Sequence, residues 1–256
     1  MSVYTTEIAS DKIPSDNVIH QRLLSAYHQA KPFIKGDLLE LGCGEGRGVE
    51  LLAPLADSYI GIDKIKAVVE SLEKKFPECK FMSGVFPPFP FEDNTFDSIV
   101  TFQVIEHVKD DEGFIKEIHR VLKPGGKALI TTPNIKMTLS RNPWHEREYT
   151  GDELTVLCKK YFEKVEMKGI AGNEKVLEYH ERNRISVQKI LRYDFFDLQH
   201  KLPAGLLRIP YDILNRMNRN KLKSTDDELV KSISVNDFSL QSQSEQNLDL
   251  FCLLTK

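Results

Sequence analysis

No stretch of the 256-residue sequence approaches the ~20 apolar residues that cross a bilayer as a helix, which excludes a helical membrane span. The opening residues, MSVYTTEIASDKIPSDN, hold no apolar segment of signal-peptide type, so a cytoplasmic location is expected. A basic excess is missing too: 35 Lys and Arg stand against 38 Asp and Glu, a formal net charge of -3. That balance predicts no general affinity for nucleic acid. The four cysteines, Cys43, Cys79, Cys158 and Cys252, form no CxxC pair. A zinc ribbon, a thioredoxin-like motif and a disulfide scaffold are thereby disfavoured. No internal repeat occurs.

What is present is a rhythm. Strand-like apolar runs fall at Leu38–Leu41, Tyr59–Ile62, Lys80–Met82, Ser98–Phe102 and Ala128–Thr131. Helical patterns separate most of them, at 48–55, 65–76 and 111–122, the last closed by Lys123-Pro124-Gly125-Gly126. Strand and helix in alternation predict right-handed crossovers and a doubly wound α/β sheet, whose ligands bind at the carboxyl ends of the strands. A helix over 16–34, capped by Ser15 or Asp16, precedes this core. A helix over 150–160, a strand near 165–170 and a buried strand at 248–254 follow it. Between the last two, 173–246 breaks the rhythm with a charged helical pattern over 178–198 and an apolar-basic one over 203–223. The Ser- and Gln-rich 239–246 reads as a loop. The expected division is a leader and covering helix (1–35), a core (36–172), a helical insertion (173–246) and a last core strand (247–256).

The sharpest local feature is Leu38-Leu39-Glu40-Leu41-Gly42-Cys43-Gly44-Glu45-Gly46-Arg47-Gly48. Glycines at alternate positions between a strand and a helix expose bare backbone to a ligand. Asp63 ends the next strand about twenty residues on, where a carboxylate can accept from ribose hydroxyls. A dinucleotide fingerprint needs a third glycine three residues after the second, and the two possible frames hold Arg47 and Val49 there. An acid, Glu40, just before the turn suits a ligand with an ammonium group, as in S-adenosylmethionine.

With these motifs in view the chain resembles a class I S-adenosylmethionine-dependent methyltransferase, of the broad group that includes ubiquinone-biosynthesis and sugar- or lipid-modifying enzymes. The resemblance runs from about Leu38 to Asn134. It rests on the glycine turn, on Gly61-Ile62-Asp63, on Phe89-Pro90-Phe91-Glu92-Asp93-Asn94-Thr95-Phe96-Asp97, and on Leu122–Lys127 leading into Thr131-Thr132-Pro133-Asn134. It implies a Rossmann-like, mostly parallel seven-stranded sheet with the insertion before the last strand. S-adenosylmethionine is the implied cofactor and S-adenosylhomocysteine the product. Glu40, Gly42, Cys43, Gly44 and Gly46 would hold the methionine end, Asp63 the ribose, and Lys64 and Ile65 the adenine. Gly84, Val85 and Phe86 fall where the family commonly has Gly-Asp-Ala; with Val85 in place of the acid, adenine recognition falls to the Phe86 backbone and apolar packing. Arg22 on the first helix is a candidate for the methionine carboxylate, the alternative being a solvated helix face. Gln103 is assigned to the cofactor site. It replaces the first acid of the Glu-x-x-Glu-His set with which some quinone-pathway relatives bind a divalent ion, so no metal is expected.

For the chemistry, His107 in Gln103-Val104-Ile105-Glu106-His107 is either a general base or a turn-stabilising residue. His145 is the second candidate. In the cluster over 141–150, Trp144, His145, Arg147 and Tyr149 are candidates for holding a polar acceptor; a helix cap with a surface ion-pair net is the alternative reading. The segment 203–223 is either a lid packed on the core or a membrane-surface helix. The expected activity is methyl transfer to a small-molecule oxygen on a sugar-, lipid- or quinone-like acceptor. A catalytically silent cofactor-binding module and a nicotinamide oxidoreductase are the alternatives.

Overall fold

The computed structural model describes residues 13–256; the leader expected over the first dozen residues lies outside them. Eight strands form one sheet: β1 (Asp37–Leu41), β2 (Ser58–Asp63), β3 (Lys80–Ser83), β4 (Phe96–Phe102), β5 (Leu122–Pro133), β6 (Lys164–Gly172), β7 (Phe238–Ser242) and β8 (Asp249–Thr255). Their order is β3-β2-β1-β4-β5-β8-β6-β7. The first five pair in parallel, and β8 runs antiparallel between β5 and β6.

The sheet is mostly parallel as expected, with one strand more. β7 covers part of the stretch read as a loop, pairing with β6 from Ser242 against Lys168 to Phe238 against Gly172. It is an edge strand with mostly polar, exposed residues, so it carries little apolar signal.

Nine helices are described: α1 (Asn17–Ala30), α2 (Val49–Leu52), α3 (Lys66–Lys75), α4 (Asp111–Val121), α5 (Gly151–Lys159), α6 (Glu174–Leu191), α7 (Leu198–Lys201), α8 (Ala204–Thr225) and α9 (Asp227–Ser232). Both faces of the sheet are covered. Alternate residues of one strand enter opposite cores, as the period of two requires. Leu38 lies in the core shared with α1 and α3, and Leu39 and Leu41 in the core shared with α4 and α5. The α4 helix buries Phe114, Ile115, Ile118 and Val121 at helical spacing, and the Asp110 carboxylate caps it by accepting from Gly113 N at 3.0 Å. The α5 helix starts on a Thr150–Glu153 capping box.

Asp16 precedes α1 but makes no side-chain cap. It is fully buried and accepts instead from Arg216 at 2.7 Å and Arg219 at 3.0 Å, which pins α8 to the start of α1. The lid reading of α8 puts its apolar stripe against the core. The opposite is observed: Asn218, Arg219 and Leu222 are buried, while Leu206, Ile209, Ile213 and Met217 face outward.

Candidate functional site

At the carboxyl ends of β1, β2 and β4 lies a cavity of about 510 Å³. Its floor is the glycine turn. Gly42 and Gly44 have φ of +76° and +50°, in the left-handed region. The Gly42 and Cys43 amides both donate to Ile62 O, at 2.8 and 3.0 Å, which folds the turn back on β2. A Cβ on Gly44 would meet nothing within 4 Å, so its backbone lies bare to the cavity. Asp63 is held by two amides, Gly44 N to Oδ2 and Ile65 N to Oδ1, each at 2.9 Å. Each carboxylate oxygen keeps further accepting capacity, as a diol requires. The Cys43 thiol lines the wall; burial pushes its pKa far above the ordinary range, so it is an inert spacer there.

Lys64, Ile65, Gly84, Val85, Phe86 and Gln103 also line this cavity. Gln103 has φ of +58° at the end of β4, an unusual conformation for a side chain with a Cβ. Its amide donates to Asp249 at 3.2 Å.

Three assigned residues lie elsewhere. Glu40 is buried outside the lining, its carboxylate accepting from Tyr27 at 2.8 Å and Tyr59 at 2.6 Å. Burial pushes its pKa up to about 7 against the two hydroxyls. Arg22 is spent on the last strand: Nε donates to Asp249 at 2.7 Å and Nη2 to Leu248 O at 2.9 Å. Gly46 lies beneath the turn, where a Cβ would stand 2.4 Å from Leu72. Sequence reasoning missed Leu23 and Tyr27, by which α1 walls the cavity, and Arg47, which entered only as a residue that breaks the dinucleotide spacing.

His107, on the 3-10 turn after β4, also faces this cavity. Its Nδ1 lies 2.9 Å from Trp144 O. A carbonyl only accepts, so Nδ1 carries the proton and Nε2 is the basic nitrogen. The His107 ring meets the His145 ring edge to face, centroids 4.9 Å apart. His145 belongs to a second cavity, of about 420 Å³, between the loop after β5 and the 191–200 segment. Its Nδ1 donates to Glu148 at 2.7 Å, and its Nε2 accepts from the Asn142 amide at 2.7 Å. The Asn142 orientation follows from its oxygen accepting Trp144 N at 3.0 Å. Both ring nitrogens of His145 are therefore engaged.

Glu106, His107 and His145 bring ligand-capable atoms within 4.8 Å of one another. The expectation of no metal rested on Gln103; the third donor here comes from the loop after β5. Glu106 is buried, accepts from Thr132 at 2.9 Å and is pushed by burial to about 7.

Of the acceptor candidates, His145 and Arg147 line the second cavity. Arg147 also stacks over Tyr149, 4.8 Å from ring centroid, and pairs with Asp111 at 3.3 Å. Tyr149 is fully buried, its hydroxyl on Asp111 at 2.9 Å, so it supports the loop and meets no ligand. Trp144 lines neither cavity. It docks α8: Arg208 lies 4.4 Å over its ring, and its indole donates to Asp212 at 3.2 Å. New wall residues are the polar Thr138, Ser140, Arg141 and Glu148, beside the apolar Ile135, Leu139 and Leu191.

Residues 39–130 match a family model described as a methyltransferase domain. A probable S-adenosylmethionine-dependent methyltransferase of Mycolicibacterium smegmatis is 41% identical over 129 residues, 48% of this chain and 50% of the relative. Human mitochondrial ubiquinone biosynthesis O-methyltransferase is 32% identical over 127 residues, 46% of this chain and 34% of that one. The chain spans about half the length, or less, of these curated relatives. Among solved structures, a SAM-dependent methyltransferase of Thermotoga maritima superposes with a TM-score of 0.60 at 17% identity, covering 93% of this chain and 91% of that one. That likeness is one of fold.

Proposed function

We propose that this chain, a class I S-adenosylmethionine-dependent methyltransferase, transfers the methyl group to an oxygen of a small polar acceptor held in the second cavity. The observation that carries the reading is the edge contact between His107 of the cofactor cavity and His145 of the second one.

The residues present fit the cofactor. Bare backbone at Gly44, the doubly anchored Asp63 carboxylate and the apolar edge of Ile65, Val85 and Phe86 suit an amino-acid end, a ribose and an adenine in turn. Arg47 adds a cation suited to a carboxylate. When bound, S-adenosylmethionine supplies a methyl carbon on a sulfonium with a good leaving thioether, so alignment provides much of the rate. An aliphatic hydroxyl also needs a base. His107 takes that proton on Nε2, while the Trp144 carbonyl holds Nδ1–H and with it the tautomer. His145, both ring nitrogens held by Glu148 and Asn142, offers the acceptor its ring surface and forms the wall shared with His107.

The test uses S-adenosylmethionine labelled in the methyl group and a fractionated small-molecule extract. Wild type transfers label. His107→Ala lowers transfer by about 10²- to 10⁴-fold, with a far smaller change in S-adenosylhomocysteine affinity by calorimetry. A wild type that binds the cofactor and labels nothing sinks the enzymatic reading in favour of a silent binding module. Binding of NADH in its place sinks the cofactor assignment as well.

A further inference from the structure

The α8 helix is amphipathic the wrong way round for a lid. Its inner side is tied down by polar groups: Arg216 and Arg219 on Asp16, and Arg208 and Asp212 on Trp144. Its outer side carries Leu206, Ile209, Ile213 and Met217, spaced three to four residues apart and 55% to 72% exposed. The turn between α6 and α7 adds Tyr193, Phe195 and Phe196, 73% to 82% exposed. Three such aromatics alone leave on the order of 400 Å² of ring surface in water, the size of the largest apolar patch on a typical monomer, which is often functional.

Charge settles the kind of partner. Lys189, Arg192, Lys201 and Lys221 are exposed at the ends of this region and form no ion pair among the described residues. Lys221 continues the helical stripe four residues beyond Met217. Three acids lie among them and keep their charge, Asp194 accepting from the Leu198 and Gln199 amides, Asp197 pairing with His200 and Asp212 taking the Trp144 indole, and residues 189–221 still hold seven Lys and Arg against three Asp. Aromatic and aliphatic side chains beside a net positive balance fit an interface of acyl chains beneath anionic head groups. No described helix is long and apolar enough to cross a membrane, so the contact is peripheral.

We propose that the outer face of α8 and the turn from Tyr193 to Phe196 dock this chain on an anionic lipid bilayer. The segment that carries the exposed aromatics also supplies Leu191, Gln199 and His200 to the wall of the second cavity. Resting on the acceptor reading above, this places the mouth of that cavity at the lipid surface. The acceptor class it selects is an amphiphile, with a polar head group for the cavity and an apolar tail left in the bilayer.

The test is co-sedimentation of the full chain with vesicles of phosphatidylcholine, alone or mixed with phosphatidylglycerol, at low and high salt. The expected result is binding to the mixed vesicles, weakened about tenfold on phosphatidylcholine alone or at high salt. The F195S/F196S/I209S variant and the charge-reversed K189E/R192E/K201E variant each lose about tenfold in partitioning. Unchanged S-adenosylhomocysteine affinity shows that both variants are folded. Equal partitioning of wild type and the serine variant overturns the proposal. So does a wild-type dimer that the serine variant makes monomeric without either protein binding vesicles, since the face then belongs to a second copy. Vesicle binding is read without turnover, so its failure is distinct from a failure of methyl transfer.

Discussion

Gly44 and Gly46 sit two residues apart in the same turn with φ of +50° and +77°, yet they face different neighbours, and alanine at each should separate binding from stability. A left-handed residue with a Cβ costs about 1–2 kcal/mol at either position. At Gly46 the new methyl also lands 2.4 Å from the Leu72 side chain in the core. Overpacking of that kind adds about 1–3 kcal/mol. Gly44→Ala is therefore expected to lower Tm by about 5 °C and Gly46→Ala by about 10 °C, using the per-kcal shift of a chain this long. Affinity should rank the other way. The Gly44 methyl opens into the cavity proposed for the cofactor, so S-adenosylhomocysteine binding is expected to drop at least about tenfold, or 1.4 kcal/mol. Gly46 lines no part of that cavity, and its variant stays within about threefold. Calorimetric titration beside thermal melts reads both quantities. Wild-type affinity in Gly44→Ala would refute the placement of the cofactor on the bare backbone of this turn.

Glu40 and Glu106, both pushed by burial from 4.5 to about 7, give the folded chain two protons that the unfolded chain has lost in that range. Stability should thus fall as pH rises from about 4.5 to 7 and level off above, each group contributing about 3 kcal/mol. Glu40→Gln should halve the slope of urea midpoint against pH without abolishing it; an unchanged slope would mean that Glu40 is ionised in the folded state. Trp144→Ala removes the stacking surface of Arg208 and the donor to Asp212. It should cost about 2 kcal/mol and speed tryptic cleavage within α8, with S-adenosylhomocysteine affinity unchanged. Loss of that affinity would instead place Trp144 in the cofactor site.

The parts of this molecule that could be read from the sequence are those whose cause is local. Alternating strands and helices needed only the apolar period. The glycine turn with Asp63 needed only the backbone freedom of Gly42 and Gly44 and one acid at the end of the next strand. Where the cause is distant, the reading failed. The acid before the turn, Glu40, faces two tyrosine hydroxyls, from Tyr27 and Tyr59, that no local pattern announces. Arg22 finds Asp249 far along the chain. The stripe on α8 is equally visible whichever side packs inward; its direction is set by Asp16, a residue that looked like a helix cap. The polar edge strand β7 had no apolar alternation to reveal it.

The position of β8 between β5 and β6 has a consequence for the order in which the chain can assemble. The segment that leaves the sheet at the end of β6 must travel through four helices and an edge strand before β8 slots into the gap. Closing the 76-residue loop over 173–248 costs on the order of 4 kcal/mol in chain entropy, recovered only when both neighbours of β8 have paired. The neighbouring pairs β1–β2 and β4–β5 close loops of only 16 and 19 residues and can form first. Once β8 is seated, the helical excursion is a closed loop clamped at both ends. It can loosen and re-form while the sheet keeps hold of each end.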